Sequence, residues 1–401
     1  MLDRLVEDVL ASNTTIVQAR ARLNAVRADA RLAAADSAPQ LGVEGGVSQA
    51  GGPLINAAGG SGSLFTARAS LSWEVDISGR LSSERFAARL DAAAAEAMLR
   101  YTRMLIAVDA VQCYWRAQFL AAAAELASER VALGERQLDR IRRRQAHGLA
   151  ASDALFAAAS DLAKVRGEFV EIERQRKLSQ HELQFLAGTS EPIALVPAGL
   201  TNPPEVPSGL PSTMLAQRPD IAAAEAEFQA ADKRLAAARK SWLPSFSLTA
   251  SGGAASPSLG QILASTAQSF GLNLLFGLPL FDGGRHKALV GRSRAELDLA
   301  AARYGERVLG ALREVNDALA NVSAARHVYE LASEEALNSQ NLYASALAGA
   351  KNGLQSEVAV ERRKIAAIDG REALLAANFA RYDAALQVIR SLGGGWAAST
   401  N

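Results

Sequence analysis

The chain has 401 residues, with 43 Lys and Arg against 42 Asp and Glu and a formal net charge of +1. This balance lacks the basic excess that is typical of nucleic-acid-binding proteins, and we predict no nucleic-acid partner. The single cysteine, Cys113, excludes both a disulfide framework and a thiolate metal cluster, and its helical surroundings favour a buried structural thiol. Aromatic residues make up only 5% while alanine is abundant, which favours closely packed helices.

The sequence repeats itself with an offset of 205 residues. Four pairs of landmarks share this offset without a slip, namely Pro39 and Pro244, Arg80 and Arg285, Gly148 and Gly353, and Gly188 and Gly393. Such a fixed period indicates an internal duplication. We therefore predict a first structural repeat over residues 1–187 and a second over 212–395. Between them, residues 188–211 form a linker with six prolines, a density that excludes a helix there.

Within each repeat the pattern predicts a helix of about 25 residues, two strands and two further helices. In the first repeat the strands cover about 40–50 and 64–76, and the long helices about 80–147 and 151–187. In the second repeat the strands cover about 245–253 and 270–281, and the long helices about 284–352 and 356–391. No proline interrupts either of the longest segments, so each predicts a helix of about 100 Å.

The predicted strands alternate strictly between apolar and polar residues. In "LFTARASLSWEVD", Phe65, Leu71 and Trp73 fall on one face, while Arg68 and Glu74 fall on the other. Between Ser241 and Phe281 there is no charged residue at all. The alternation and the lengths fit strands that cross a membrane with lipid on one side and water on the other. The alternative is a soluble β-subdomain packed on the helices.

Four strands are too few to close a barrel, which needs about eight. Open sheet edges do not occur in lipid, because the backbone groups there have no partner. If the strands lie in a membrane, several chains must therefore share one barrel. Three chains supply twelve strands, so the fold class that we predict is mainly α with a β membrane part, a long α-helical barrel joined to a 12-stranded β-barrel of a homotrimer.

The helices begin and end at recognisable turns. Asp282, Gly283, Gly284 and Arg285 turn a strand into a helix, because Asp caps the helix and glycine permits the sharp change of direction. Residues 76–80, ending in Gly79 and Arg80, have the same role in the first repeat. Gly148 and Gly353 stop the longest helices, and Ser152-Asp153 and Ser356-Glu357 can start the returning ones.

No catalytic pattern is present in the sequence. The four histidines, His147, His181, His286 and His327, lie far apart and lack the spacing of metal ligands. No serine stands in a nucleophile elbow, and no glycine-rich loop has phosphate-binding spacing. We predict that the chain is not an enzyme and takes no cofactor or metal.

Several motifs together resemble the TolC-like outer-membrane efflux proteins, in particular the OprM/NodT branch. They are "LSWEVDISGR", the run from "QRPDIAAAEAEF" to "SWLPSFSLTASGG", "LPLFDGGR", "EVNDALANV" and the terminal "SLGGGW". The resemblance covers nearly the whole chain. It implies a passive trimeric channel that passes drugs or other small molecules across the periplasm and outer membrane of a Gram-negative bacterium. It also implies outer-membrane lipid, a periplasmic membrane-fusion adaptor and an inner-membrane transporter as partners.

The resemblance also implies roles for the ends of the helical hairpins. Gly148, Leu149, Ala150 and Ser152, with Gly353, Leu354, Gln355 and Ser356, match the periplasmic tips that meet the adaptor. Related channels narrow the pore with an Asp just inside the tip. The segment at that place is "EVAVERRK", so the candidates for a constriction are Asp153, Glu357, Glu361 and Arg362, and a mixed Glu/Arg constriction is a hypothesis.

Family members usually start with a secretory signal, often followed by a lipid-bearing cysteine, and "MLDRLVEDVL" has neither feature. We therefore expect that the native chain begins earlier. Two alternatives to an efflux channel remain open: the outer-membrane channel of a type I protein secretion system, and a soluble coiled-coil scaffold or adaptor. The long charge-free stretch argues against the second of these.

Overall fold

The computed structural model describes residues 2–51, 61–193, 203, 217–262 and 268–394. Seven helices and four strands occupy these ranges. In chain order they are α1 (Leu2–Ser12), α2 (Thr14–Ala35), β1 (Gln40–Gly51), β2 (Ser61–Val75), α3 (Arg80–Ala146), α4 (Ser152–Ala187), α5 (Pro219–Lys240), β3 (Ser245–Ser256), β4 (Gln268–Gly277), α6 (Arg285–Lys351) and α7 (Glu357–Ser391). A 3₁₀ turn, Leu259–Gln261, follows β3. Most of the proline-rich linker lies outside the described residues.

The two halves of the chain have the same order of elements. α3 and α6 each contain 67 residues, and their first residues, Arg80 and Arg285, are 205 positions apart. Alanine-rich sequence without proline explains their length, because alanine has the best helix propensity and each backbone amide keeps its hydrogen bond. In the first repeat Asn13 divides the first helical segment into α1 and α2. Most of the residues that match α1 in the second repeat lie outside the described residues.

The four strands form one antiparallel sheet in the order β1-β2-β3-β4. Leu41 of β1 lies opposite Leu71 of β2, which lies opposite Ala250 of β3, and Ala250 lies opposite Leu272 of β4. Each repeat therefore contributes a hairpin pair, and β2 and β3 join the two repeats. One edge each of β1 and β4 has no strand beside it in the described part of the chain.

Several strand boundaries differ from the sequence prediction, among them the end of β3, which is Ser256 and not residue 253. The prediction carried the last strand to Phe281, but β4 ends at Gly277. Pro279 has no amide hydrogen to donate to a neighbouring strand, so the chain leaves the sheet before it. The prediction also started the second strand at residue 64, whereas β2 begins at Ser61 and runs for 15 residues.

The chain divides into two compact units that do not coincide with the sequence repeats. One unit holds residues 20–98 and 221–307, and the other holds 1–19, 99–220 and 308–401. The first contains the sheet together with α2, α5 and the starts of α3 and α6. Its helices pack through alanine, with Ala94 and Ala97 of α3 against Ala223 and Ala226 of α5. Such small side chains let helix backbones approach closely.

The other unit has larger side chains in its core. Leu5 and Val9 of α1 pack with Ile106 and Tyr114 of α3 and with Leu183 of α4. Trp115 stacks on Tyr382 of α7 at 4.4 Å between ring centroids, and Phe119 stacks on Phe379 at 4.8 Å. Offset aromatic pairs of this kind add to the stabilisation that burial of their area provides.

In each sequence repeat, a buried polar side chain of this unit donates a hydrogen bond to the end of the last helix of that repeat, and we call this contact a joint. In the first repeat, the Asn13 side-chain amide donates to the Leu186 carbonyl at the end of α4, at 2.8 Å. In the second repeat, the position 205 residues later is Arg218, and its guanidinium donates to the Ser391 carbonyl at the end of α7. Arg218 is 1% exposed and also binds Asp220 through two hydrogen bonds of 3.0 and 2.9 Å.

Gly393 is required at the Arg218 joint for two reasons. Its backbone has φ +78°, a conformation that side chains other than glycine disfavour. A Cβ there would also lie 2.8 Å from Cγ of Arg218. The matching glycine of the first repeat, Gly188 with φ +62°, would place a Cβ 2.9 Å from the Ser12 carbonyl oxygen. Both repeats therefore use one glycine to let a helix end approach the buried polar side chain.

We predict that Arg218→Met lowers the free energy of unfolding by about 3–5 kcal/mol. The substitution leaves the buried Asp220 carboxylate without its counter-charge and the Ser391 carbonyl without its donor. Urea-induced unfolding followed by far-UV circular dichroism measures this change. The matched control is Arg292→Met, which removes an exposed pair with Glu296 and is expected to cost no more than about 0.5 kcal/mol. Equal effects of the two substitutions would contradict a special role for the Arg218 joint.

Candidate functional site

The sheet has one continuous apolar face. Four rows of opposed residues build it: Leu41, Leu71, Ala250 and Leu272; Val43, Ala69, Gly252 and Phe270; Trp73, Leu248 and Leu274; and Val75, Phe246 and Phe276. On β4 this face is open to the surroundings, and Phe270 is 97% exposed. A contiguous exposed apolar surface of this extent marks a site of contact with lipid or with another protein. The predicted alternation is confirmed by the register.

The opposite face of the sheet is made of small and polar residues. One row holds Gln40, Ser72, Thr249 and Asn273. In another row Glu44 lies directly across from Arg68, a favourable pairing of opposite charges between strands. Leu64 of β2 and Leu275 of β4 are large apolar residues on this otherwise small and polar face. The sheet can therefore separate an apolar medium from an aqueous one. Among the described helices, none has a stretch long and apolar enough to cross a membrane.

Both strand-to-helix turns have the capping that the sequence predicts. Asp76 accepts hydrogen bonds from the amides of Leu81 and Ser82, at 3.1 and 2.7 Å. Asp282 accepts from the amides of Gly284 and His286, at 2.9 and 2.7 Å. The carboxylates thus satisfy amides that have no partner within α3 and α6. The glycines of both turns, at 79, 283 and 284, have positive φ.

The two hairpin ends have the same backbone geometry. After α3, the Gly148 amide donates to Gln145 and the Leu149 amide donates to Arg144, at 2.8 and 2.7 Å. After α6, the Gly353 amide donates to the Ala350 carbonyl and the Leu354 amide donates to the Gly349 carbonyl, at 3.0 and 2.8 Å. Each of these four residues lies 205 positions after its counterpart at the first hairpin end. This pair of bonds is the Schellman motif, and it ends each long helix at a glycine. Leu149 and Leu354 project at these ends and are 67% and 81% exposed.

The starts of the returning helices differ from each other. Ser356 caps α7, and its hydroxyl accepts a hydrogen bond from the Ala359 amide at 3.2 Å. The helix α4 begins at Ser152, as predicted, but Ala151 occupies its N-cap position and offers no side-chain acceptor. The Ser152 hydroxyl accepts from the Gln145 side chain at 3.2 Å and so joins the two arms of the hairpin.

A row of polar contacts joins α3 to α7, and we call it the α3–α7 seam. Starting from the hairpin ends, Arg140 binds Glu361, Glu129 binds Lys364 and Arg371, Arg130 binds Asp369 and Glu372, Gln112 binds Asp383, and Asp109 binds Arg390. The last of these pairs has 3.5 Å between nitrogen and oxygen. The aromatic stacks of Trp115 and Phe119 lie within this row. No spacing in the sequence indicates these pairs, because their members are more than 200 positions apart.

Charges in the α3–α7 seam are held in different environments. Hydrogen bonds from Lys364 and Arg371 lower the pKa of Glu129 below its usual value. Burial raises the pKa of Asp109 and of Glu372, and the cations Arg390 and Arg130 offset only part of that effect. The seam therefore combines one carboxylate, Glu129, that stays charged in mild acid with two, Asp109 and Glu372, that bind protons more readily than usual.

A cleft of about 500 Å³ lies beside the α3–α7 seam, between α3, α4 and α7. Asp109, Glu182 and Asp383 line it together with the aromatic rings of Phe119 and Phe379. Cys113 forms part of its floor, is 3% exposed and donates to the Ser179 carbonyl. Burial raises the pKa of the Cys113 thiol to about 11, so it is a protonated structural residue, as the sequence predicts.

The predicted constriction residues do not form one cluster within the chain. Glu361 binds Arg140 on α3 through both carboxylate oxygens. Asp153, Glu357 and Arg362 are exposed near the hairpin ends, and the described residues provide none of them with an ion-pair partner. The part of the chain that the structure describes also holds no group of His, Cys, Asp or Glu that could bind a metal ion.

Comparison with protein families gives a match to one model, the outer membrane efflux protein family. The match occurs twice, over residues 5–189 and 210–394, and the starts of the two segments are 205 positions apart. The toluene efflux pump outer membrane protein TtgC of Pseudomonas putida is 27% identical over the whole chain and 84% of its own length. The cation efflux system protein CusC of Escherichia coli K12 is also 27% identical, over 98% of this chain and 86% of its own length.

The fold is similar to solved structures as well. A membrane protein from Pseudomonas aeruginosa superimposes with a TM-score of 0.89 and 26% sequence identity, covering 98% of this chain and 92% of that protein. The similarity extends over both repeats and the sheet between them.

Proposed function

This chain belongs to the outer membrane efflux protein family, and on that premise we propose that it is the exit channel of a tripartite efflux system. The observation that carries the proposal is the sheet, in which an exposed apolar face backs a small polar face and two edges have no neighbouring strand among the described residues. A channel conducts passively, so the proposed role needs no bond to be made or broken. The name of TtgC refers to toluene and that of CusC refers to cations, although both proteins are 27% identical to this chain. The family assignment therefore supports the channel function but does not identify the substrate.

Three copies of the sheet would supply the wall of the channel. Backbone groups at the edges of β1 and β4 need partners in lipid, since each unpaired group there costs several kcal/mol. Pairing β4 of one copy with β1 of the next satisfies both edges, and three copies give a closed barrel of twelve strands. The apolar face then contacts outer-membrane lipid and the polar face lines the water-filled interior.

Exposed apolar residues on the helices support the same assembly. On α4 they are Phe156, Val170, Leu178 and Phe185, and on α6 they include Leu309, Val328, Leu331 and Leu337. The α4 residues recur at intervals of seven, eight and fourteen positions, which places them along one side of the helix. We propose that α4 of one copy packs against α6 of the next and that the helices together form a barrel in the periplasm.

The proposal predicts a native mass of about three times 42.1 kDa for the detergent-extracted protein. Val170→Glu places a charge in the proposed contact between copies and should shift the protein toward the monomer. Gln180→Glu adds the same charge at another exposed position of α4 and should leave the trimer intact. Mass photometry or light scattering measures the distribution. A monomer or dimer that needs no detergent would exclude the channel and favour a soluble scaffold.

We also propose that the hairpin ends dock a periplasmic adaptor. Leu149 and Leu354 are the exposed apolar residues there, and Gly148, Ala150, Ser152, Gly353, Gln355 and Ser356 complete the two turns. Two rigid turns with one projecting leucine each suit a contact with the loop of another helical hairpin, because little chain entropy is lost on binding.

Leu354→Asp should weaken binding of an efflux adaptor to the immobilised trimer by roughly tenfold or more, as is typical when a central apolar anchor is lost. Gln340→Asp lies on the exposed side of α6 away from the end and is the matched control. Surface plasmon resonance compares the two variants. Equal affinities would show that the hairpin ends are not the contact.

For the constriction we propose a mixed ring of Glu361 and Arg362, with Asp153 and Glu357 at its outer rim. Arg362 has a free guanidinium in the described chain, so in a trimer three such cations would face the narrow end of the pore. The partner of Glu361, Arg140, belongs to the same chain and would hold α7 against α3 when the channel is closed.

Arg362→Gln should shift the single-channel selectivity toward cations, because it removes three positive charges from the narrowest part. Planar-bilayer recordings of reversal potential across a salt gradient measure this shift. Arg326→Gln, an exposed arginine further along α6, is the control and should leave the reversal potential unchanged. If the two variants behave alike, the constriction lies elsewhere.

A further inference from the structure

We propose that the start of α6 binds the phosphate groups of anionic phospholipids at the border of the membrane. The proposed binding surface consists of Arg285 and Lys287, with Trp242, Leu280 and Phe281 beside them, and we call it the α6 corner. The inference rests on the proposed function, because it requires that the sheet lies in a membrane.

The two repeats differ in charge at the strand-to-helix turn and in the first turns of the helix that follows it. Residues 74–89 hold three cations and three acids, whereas the matching residues 279–294 hold four cations and one acid. In the first repeat Arg80 binds Glu74 at 2.8 Å and Glu84 at 3.0 Å. In the second repeat the residues that match those two acids are Pro279 and Leu289. The duplicated arginine, Arg285, has therefore lost both of its carboxylates.

The cations of the α6 corner are exposed and have no carboxylate partner in the described residues. Arg285 begins α6 and Lys287 follows two positions later, at the place where the first repeat has Ser82. The acid nearest in sequence, Asp282, uses its two carboxylate oxygens for the amides of Gly284 and His286. Cations at a helix N-terminus oppose the helix dipole, so this arrangement is unfavourable for the chain alone. An anion beside them would remove that disadvantage.

Exposed apolar and aromatic residues adjoin these cations. Leu280 and Phe281, which directly precede the turn, are 83% and 92% exposed. Trp242 lies just before β3, and its ring is 5.4 Å from the ring of His286, which stands between Arg285 and Lys287 in sequence. The apolar face of the sheet thus continues through aromatic residues into a positively charged corner.

This order is that of a membrane leaflet, from acyl chains through the interface to the head groups. Tryptophan is enriched at the interface, and arginine and lysine next to it reach the phosphates. Each cation at an anionic surface adds about fivefold in affinity. Because Arg80 is neutralised and Arg285 is not, each chain would bind anionic lipid at one corner only.

The test reconstitutes the protein into vesicles of phosphatidylcholine that contain either brominated phosphatidylglycerol or brominated phosphatidylcholine. Bromine quenches tryptophan fluorescence on contact, so the difference between the wild-type protein and Trp242→Phe isolates the signal at the α6 corner. We expect brominated phosphatidylglycerol to be favoured by roughly tenfold or more at low salt, and by less as salt is added. R285Q/K287Q should abolish this preference, whereas R303Q/R307Q, an equal loss of charge on exposed residues about 27 Å further along α6, should keep it.

The outcomes separate the inference from the proposed function. Equal quenching of the wild-type signal by both lipids would overturn the inference and leave the channel intact. Absence of quenching by either lipid would place Trp242 outside the membrane and overturn both. A loss of trimer in R285Q/K287Q that is the same in all lipids would mean that these cations pair with acids of a neighbouring copy, which also overturns the inference.

Discussion

The structure depends on one constraint, the need of every backbone amide and carbonyl of the sheet for a hydrogen-bond partner. Four strands satisfy one another internally, but β1 and β4 each keep an edge for which the described chain offers no partner. In water such an edge is tolerated, whereas in lipid it is not. If the exposed apolar face contacts lipid, as we propose, other copies of the chain would have to satisfy these edges. The trimer that we propose therefore follows from the hydrogen bonding of the sheet.

Because the sequence is duplicated, each residue of one repeat can be compared with the residue at the matching position of the other repeat. Both repeats end their long helices at a Schellman turn and close at a glycine with positive φ. At the buried joint the neutral Asn13 of one repeat matches the charged Arg218 of the other. The acidic residues at the matching positions of α3 and α6 have different ion-pair partners for this reason. Glu314 binds Arg218 within its own repeat at 2.9 Å, whereas Asp109 has Asn13 at the matching place and pairs with Arg390 of the other repeat.

The contacts that hold the helices together differ in their burial. Arg218 is nearly fully buried and makes hydrogen bonds to two carboxylates and a carbonyl, so α5, α6 and the end of α7 are held together firmly. The α3–α7 seam combines partly exposed ion pairs, two of which include carboxylates with raised pKa values, with the aromatic stacks of Trp115 and Phe119. Half-exposed pairs contribute little individually and are weakened by salt.

The sequence by itself determined the duplication, the order of the elements, the two faces of the strands and the turns at both ends of the long helices. Each of these depends on local rules, namely a period of two for strands, glycine for left-handed caps and aspartate for helix starts. Only the tertiary structure decided the α3–α7 seam, the Arg218 joint and the partner of Glu361. Arg218 reaches Glu314 and Ser391 over 96 and 173 positions, and Arg140 reaches Glu361 over 221, so no spacing in the sequence indicates these contacts. Likewise, the residue types alone do not show that Arg80 pairs with two acids while Arg285 has no carboxylate partner in the described residues. Ion pairing depends on the geometry of the folded chain.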